Sequence, residues 1–179
     1  VLINLLIFVL VLFCYIHIYN NITSSNYLEV YEVDNLSKEK LEELCSLKQP
    51  IIIDNINLIS NINIDNLLSN YSSFDLKVLN KDNLDMYLPM KLGTTVELLN
   101  KDISCIYISE NNKEFLEETS LLKEYAVNDL FLRPYNTSNI EYDLLMGSIN
   151  SYTSLEYSIN CRNYLHVLSG KIEITLCPP

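Results

Sequence analysis

The apolar N-terminal run constrains the fold more than any other stretch. It reads VLINLLIFVLVLFCYIHIY and is interrupted only by Asn4 and His17. As an α-helix rising ~1.5 Å per residue, it would span roughly 28 Å, close to the hydrocarbon thickness of a bilayer. Tyr15 and Tyr19 lie at its end, where aromatic side chains suit a membrane–water interface. The run therefore predicts a single transmembrane helix, or a signal anchor, over residues 1–19.

Two alternatives to a membrane span stay open for residues 1–19. A signal peptide has a similar apolar core, but no Ala-x-Ala-like cleavage site follows this one. A buried core helix would show an amphipathic period, and none is visible. Residues 20–37 contain no Lys or Arg, which weakly favours a non-cytoplasmic soluble part and leaves the side of the membrane open. Because the chain begins with Val1 rather than Met, we expect residues upstream.

One domain is predicted after the apolar run. Residues 20–26 are polar and predict a short linker, and no boundary is visible within residues 27–179. The full length of 179 residues suits one domain with an appendage. The hydrophobic content of 49% is enough for a packed core.

The charge balance excludes one class of partner. The chain has 12 basic and 23 acidic residues and a net charge of -11, and its cations are scattered from Lys38 to Lys171. Nucleic-acid binding needs several cations converging on phosphates, so nucleic acid is excluded as a partner. The five cysteines include no Cys-x-x-Cys pair and no zinc-type spacing with histidine. Free thiols are favoured over two disulfides.

The C-terminal part of the chain has the pattern of short β-strands. Thr153–Ser158 and Tyr164–Leu168 predict two strands, and Ser169–Lys171 predicts a turn that leads into a third strand, Ile172–Leu176. The third strand alternates apolar and polar residues, as a half-buried strand does. The two prolines at the end of the chain cannot continue a hydrogen-bonded ladder.

Helices and strands are mixed in the preceding residues. Ser37 predicts the N-cap of a helix that runs to Lys48, and Pro50 ends it before a buried strand over Ile51–Ile53. Phe74–Leu79 alternates as a strand, and the acidic segment from Asn111 or Asn112 to Tyr125 predicts one helix. The fold class predicted for the chain is α+β.

At its C-terminal strands the chain resembles a known family. The residues that carry the resemblance are the segment TSLEYS from Thr153 to Ser158, then Asn163, a Ser-Gly turn at Gly170, and a strand that ends in Pro-Pro. Together they look like the first half of a JmjC or cupin-like domain, similar to the iron- and 2-oxoglutarate-dependent hydroxylases. The resemblance implies a partial double-stranded β-helix, preceded by mixed helices and strands.

The sequence departs from the family pattern at the residues that carry its chemistry. The metal-binding His of the family falls on Glu156, and its Asp falls on Ser158. The family's co-substrate positions fall on Thr153, Asn163 and Ile172, and Ile172 stands where the family has the lysine that binds 2-oxoglutarate. A facial triad needs two imidazoles and a carboxylate, so we predict no catalytic residue, no metal and no cofactor.

Two functions are consistent with this resemblance. The favoured one is a single-pass membrane protein whose cupin-like domain is catalytically inactive and serves as a binding or structural module, with a possible protein partner. The alternative is a divergent oxygenase that uses Fe(II) and 2-oxoglutarate, with Glu156 and downstream histidines as ligands. The family's second metal-binding His lies beyond Pro179, so we expect either a longer natural protein or another chain that completes the half-made barrel.

The remaining candidate residues have ordinary structural explanations. His166 is the only histidine after the apolar run, and its alternation with Leu165 and Val167 predicts a packed or surface strand residue rather than a ligand. The stripe formed by Tyr152, Tyr157 and Tyr164 predicts core and rim positions, some of which could line a protein contact.

Overall fold

The computed structural model describes residues 2–22, 29–54, 58, 62–83, 86–158 and 160–177. The chain divides into two compact units: unit 1 consists of residues 1–57 and 173–179, and unit 2 of residues 58–172. Both helices and strands are present, which confirms the predicted α+β class. The single domain predicted over residues 27–179 stays a prediction.

The apolar run forms one long helix, α1 (Leu2–Ile22). Its segment Leu2–Asn20 has a mean hydropathy of 2.5 and none of it is buried, so by length and composition it could cross a membrane; a signal sequence would pass the same test. The predicted linker over residues 20–26 starts too early, because the helix continues to Ile22. The rest of that linker lies outside the described residues.

The remainder of unit 1 contains two short parallel strands and a helix. β1 (Tyr31–Asp34) pairs with β2 (Ile51–Asp54), and α2 (Lys38–Ser46) connects them. The side-chain oxygen of Ser37 accepts a hydrogen bond from the backbone N–H of Lys40 at 3.3 Å, so the predicted N-cap is confirmed. The predicted strand over Ile51–Ile53 is also confirmed, but its predicted burial is wrong, because Ile51 and Ile53 are only partly buried and Ile52 is 48% exposed. The helix buries Leu41 and Leu44.

Unit 2 is built on a four-stranded antiparallel sheet. Its elements are α3 (Ile64–Tyr71), β3 (Asp75–Asn80), a 3-10 turn (Lys81–Asn83), β4 (Tyr87–Lys91), α4 (Leu92–Lys101), β5 (Tyr107–Ser109), α5 (Lys113–Glu118), α6 (Leu121–Tyr125), a 3-10 turn (Ala126–Asn128), α7 (Asp129–Leu132) and β6 (Met146–Gly147). The strands lie in the order β4-β3-β5-β6. Helices α3 and α4 flank the first hairpin of this sheet in sequence, and a run of short helices follows β5.

The core of unit 2 packs the helices around one aromatic residue. Phe115 on α5 is 2% exposed and makes edge-to-face contacts with Tyr71 and Phe74, whose ring centroids lie 6.5 and 6.4 Å away. Burying a side chain of this size stabilises a fold by about 1.5–3 kcal/mol. The buried aliphatic residues of the cluster are Leu67, Leu76, Leu92, Leu116, Leu121 and Leu144.

The acidic segment that follows β5 forms two helices, and the prediction of one continuous helix is wrong. Ser120 separates α5 from α6 and adopts a left-handed conformation with φ of 61°. This conformation costs a residue with a Cβ roughly 1 kcal/mol, and here it turns the chain so that Phe115 and Leu121 both reach the core. A periodic apolar pattern does not reveal such a break.

The C-terminal strands predicted over Thr153–Ser158, Tyr164–Leu168 and Ile172–Leu176 are wrong as elements of this structure. The described residues from 148 to 177 form no helix or strand. A strand is stable only when its backbone groups pair, and none of these segments pairs with a neighbour in the described part of the chain. At the predicted turn the chain bends at Ser169 and Gly170, and Gly170 has φ of 84°. The double-stranded β-helix that the motif implies is therefore not confirmed by the described residues, and it stays a prediction.

Candidate functional site

The five residues at the family's metal and co-substrate positions all lie in the irregular C-terminal segment. Their side chains are exposed: Thr153, Glu156, Ser158, Asn163 and Ile172. Among the described residues, no group of three His, Cys, Asp or Glu side chains is placed to hold a metal ion. The structure thus distributes these positions along a solvated stretch of chain.

Two of the predicted positions come close together through a local turn. The Ser158 hydroxyl oxygen accepts a hydrogen bond from the backbone N–H of Asn160 at 3.2 Å. The side-chain amide of Asn160 donates to the Oδ1 atom of Asn163 at 3.3 Å. In these two bonds the polar groups of Ser158, Asn160 and Asn163 pair with one another, as serine and asparagine side chains commonly do in loops.

The charge of Glu156 affects the pKa of Tyr87, a tyrosine on β4. The Tyr87 hydroxyl donates to Glu110 at 2.9 Å and accepts from the side-chain amide of Asn111 at 2.8 Å. Burial, followed by the bond to Glu110, raises the pKa of Tyr87, and the charge of Glu156 adds to this effect. The Tyr87 phenol therefore keeps its proton and acts as a hydrogen-bond donor at neutral pH.

The most completely bonded polar side chain in this region is the amide of Asn112, which is 1% exposed. Its Nδ2 atom donates to the Ser109 hydroxyl at 2.9 Å and to the Leu144 carbonyl at 2.8 Å. Its Oδ1 atom accepts from the backbone N–H of Lys77 at 2.8 Å. One side chain thereby links β3, the end of β5 and the irregular segment that leads into β6.

The carboxylate of Asp143 also belongs to this network. Asp143 accepts hydrogen bonds from the backbone N–H groups of Asn111, Asn112 and Leu144 at 2.9, 2.6 and 2.8 Å. These bonds occupy the carboxylate, so its role is to fix the chain and not to bind a metal. Asn111 and Asn112 predict the start of a helix, but no nearby residue indicates that their backbone binds Asp143, 31 residues beyond Asn112.

A lysine amine is covered by an aromatic ring beside this network. The Nζ atom of Lys81 lies 3.5 Å from the centroid of the Tyr152 ring, and it is buried without a hydrogen-bond partner. Burial lowers the pKa of Lys81, and the nearby charge of Glu110 opposes that shift. The contact is a cation–π interaction, which compensates part of the cost of covering the charge.

The C-terminal segment is attached to the short helices by two of its side chains. Tyr164 donates to the Leu132 carbonyl at 3.0 Å, and the Nδ1 atom of His166 lies 3.2 Å from the Tyr125 hydroxyl. His166 is exposed and contacts a tyrosine ring 5.9 Å away, centroid to centroid. These contacts are structural attachments, and they give His166 a packing partner.

The tyrosine that contacts His166 belongs to a partly buried polar cluster. Tyr125 meets Tyr142 edge to face at 6.2 Å, and the Tyr142 hydroxyl donates to Asp129. Burial and the bond to Asp129 raise the pKa of Tyr142 far above its usual value, and burial also raises the pKa of Tyr125. Both phenols therefore stay protonated at neutral pH, and the Tyr142 hydroxyl donates to Asp129.

No family model, no curated protein and no solved structure matches the chain. The resemblance to JmjC and cupin-like domains thus depends on the sequence motif alone. What the geometry adds is a set of polar contacts that hold loops in place, together with a long, exposed and apolar C-terminal segment.

Proposed function

We propose that this chain is a single-pass membrane protein whose cupin-like part is catalytically inactive and binds a protein partner. The fold implied by the motif, a partial double-stranded β-helix, is part of the same proposal. The alternative, a divergent oxygenase with Fe(II) and 2-oxoglutarate, is the outcome against which the proposal is tested.

One observation carries the proposal: the C-terminal segment combines a strand-forming sequence with a high exposure of apolar side chains. Leu155 is 77% exposed and Tyr157 is 86% exposed. Large apolar side chains are exposed along the whole segment, at Tyr152, Tyr164, Leu165, Val167, Leu168, Ile172, Ile174 and Leu176. Large apolar side chains left exposed in such number are typical of interaction sites. Tyrosine suits such a surface, because it combines an apolar ring with a polar tip.

The absence of imidazoles at the family's metal positions supports a non-catalytic role. Glu156 can offer an oxygen ligand, but Ser158 is a weak neutral ligand, and Ile172 has no charge with which to bind a carboxylate co-substrate. The exposure of all three side chains supports the same interpretation, because co-substrate sites are normally concave and largely closed to water.

The properties of α1 support the membrane part of the proposal. A helix with 21 residues and no acidic residue in its first turn or basic residue in its last is long and apolar enough to cross a bilayer. Extraction of membranes with alkaline carbonate tests this directly. An integral anchor keeps the chain in the membrane pellet, whereas a cleaved signal sequence releases a shortened chain into the supernatant.

Catalysis is tested by measuring bound iron and 2-oxoglutarate turnover for the full chain in detergent. We expect neither stoichiometric iron nor turnover, and the same result for Glu156→Ala. Iron bound at close to one equivalent and lost in Glu156→Ala would overturn the proposal in favour of the divergent oxygenase. Turnover that persists in that variant would overturn the assignment of the metal positions as well.

The binding role is tested by placing a photo-crosslinking amino acid at Tyr157. A second chain with the same amino acid at Ile103, which is 94% exposed and lies outside the C-terminal segment, is the matched control. We expect a discrete protein adduct from position 157 and none from position 103 in intact cells. Equal labelling at both positions would show only general exposure and would contradict a binding role for the C-terminal segment.

A further inference from the structure

A surface turn after α7 presents the side chain of Asn136 to solvent. The Thr137 hydroxyl donates to the Pro134 carbonyl at 2.8 Å, and the Arg133 guanidinium donates to the Thr137 carbonyl at 3.2 Å, so the turn is held by its own residues. Asn136 has φ of 62°, a left-handed conformation that asparagine adopts more readily than most residues. Its neighbour Tyr135 is 74% exposed. The tip of this turn is therefore open to solvent.

Asn136 begins an acceptor sequence for N-linked glycosylation. Residues 136–138 read Asn-Thr-Ser, which fits the pattern Asn-x-Ser/Thr with a residue other than proline in the middle. The Ser138 side chain, which supplies the hydroxyl that the pattern requires, is also exposed. An attached glycan is bulky and hydrophilic, so it needs an asparagine whose side chain lies in solvent. Asn136 meets this requirement.

The other acceptor sequences of the chain are placed less favourably. In the one at Asn35 the hydroxyl is engaged, because Ser37 caps α2. In the one at Asn70 the asparagine lies in the last turn of α3, whereas acceptor sites are typical of surface loops. A fourth ends at Thr23, outside the described residues. Among the acceptor sequences that the structure describes in full, the one at Asn136 therefore fits the modification best.

The flank of α1 favours the side of the membrane on which such a modification takes place. Residues 20–37 contain no Lys or Arg, and the first cation after α1 is Lys38. Cytoplasmic flanks of a span carry an excess of Lys and Arg, so this flank favours a non-cytoplasmic soluble part. N-linked glycans are carried by secreted and non-cytoplasmic parts of proteins. The same side is reached if α1 is a cleaved signal sequence.

We infer that Asn136 is an N-glycosylation site and that the soluble part of the chain faces the non-cytoplasmic side. The inference rests on the membrane insertion of α1 proposed above. In the reaction, the carboxamide nitrogen of Asn136 bonds to C1 of an oligosaccharide carried on a lipid diphosphate. The bond between C1 and the diphosphate breaks, the lipid diphosphate leaves with the electron pair, and a base of the membrane-bound transferase takes the amide proton.

Translation of the full chain with microsomal membranes, followed by digestion with a peptide-N-glycosidase, tests this inference. We expect the mobility shift of a single glycan, which the glycosidase removes. Asn136→Gln and Ser138→Ala should each abolish the shift, whereas Ser138→Thr should keep it, because threonine supplies the same hydroxyl. Asn70→Gln is the matched control, because it removes another exposed acceptor asparagine, and it should leave the shift unchanged. A shift of the same size in Asn136→Gln would overturn the assignment.

Extraction of the same microsomes with alkaline carbonate separates a failure of this inference from a failure of the membrane proposal. A chain that stays in the membrane pellet without a shift keeps its anchor, and it would overturn the inference about Asn136 alone. A chain that is neither shifted nor retained in the pellet would contradict both. A shortened chain that is released and carries the glycan at Asn136 would support the site and show that α1 is a signal sequence.

Discussion

The side-chain amide of Asn112 donates to the backbone carbonyl of Leu144 across 2.8 Å, inside the protein. The bond fixes the start of α5 to the chain that enters β6, although 32 residues separate the two in sequence. The same side chain also bonds β3 and the end of β5, so a single amide holds together the polar corner of the unit 2 sheet.

Replacing this amide should destabilise the protein strongly. Asn112→Ala leaves the Lys77 amide, the Ser109 hydroxyl and the Leu144 carbonyl without their partner in a buried region. We expect the free energy of unfolding to fall by about 2–4 kcal/mol, measured by urea denaturation of the full chain in detergent. Asn160→Ala, at an exposed turn, should change it by less than about 0.5 kcal/mol. Similar losses for both variants would contradict the role given to Asn112.

The cation–π contact of Lys81 predicts a chemical reactivity. Tyr152→Leu removes the ring that covers the Nζ atom, so we expect the amine to react with an amine-directed acylating reagent about threefold faster or more. Tyr152→Phe keeps a ring over the amine and should leave the rate near that of the wild type. Mass spectrometry measures the labelling of Lys81, with the exposed Lys40 as the internal reference. An unchanged rate in Tyr152→Leu would show that the ring does not shield the amine.

Local signals were sufficient to predict much of the first half of the fold. Ser37 is a good N-cap and α2 begins beside it, while the apolar run at Ile51 forms β2. The alternation from Phe74 to Leu79 lies largely within β3 (Asp75–Asn80). In each case the information is contained in a few adjacent residues, through capping geometry or through the two-residue period of a strand.

The predictions that failed depend on partners distant in sequence or on single backbone angles. The apolar stretch from Ile103 to Ser109 forms a strand only from Tyr107, because Cys105 has φ of 59° and the Asp102 carboxylate accepts hydrogen bonds from the backbone of the preceding loop. At Ile172–Leu176 the period of a strand is present, but a period does not supply the neighbouring strand that would pair with it. The contacts of Asp143 could not be predicted either, because no residue near Asn112 in the sequence indicates a partner 31 residues away.

The loop held by Asp102 gives a pH-dependent contribution to stability. Its carboxylate accepts hydrogen bonds from the backbone N–H groups of Ser104, Ile106 and Tyr107 at 2.9, 2.9 and 3.1 Å. Burial alone would raise the pKa of Asp102, but hydrogen bonds, led by that from Tyr107, hold the pKa below its usual value. The folded pKa is thus lower than the unfolded value of about 3.9, so this stabilisation is complete above the unfolded pKa and is lost as pH falls through the folded pKa.

The variant Asp102→Asn tests the direction of this pH dependence. The urea midpoint of the wild type should exceed that of Asp102→Asn by a constant amount between pH 7 and about pH 5, and the difference should shrink below about pH 4. Asp82→Asn, at an exposed carboxylate, should shift the free energy of unfolding at pH 7 by less than about 0.5 kcal/mol. A difference between wild type and Asp102→Asn that grows on acidification would contradict the direction of the pKa shift.

The bond from Tyr164 to the Leu132 carbonyl predicts how the C-terminal segment is held in unit 2. Tyr164→Phe removes the hydroxyl and keeps the ring, so the segment should separate from the short helices more often while the core remains folded. We expect trypsin to cleave after Lys171 several times faster, because a protease needs a locally open chain. Tyr157→Phe removes a hydroxyl from an 86% exposed side chain in the same segment and should leave the cleavage rate unchanged. Equal rates for wild type and Tyr164→Phe would show that the Tyr164 bond does not restrain the segment, which would leave the contact of His166 with Tyr125 as its attachment.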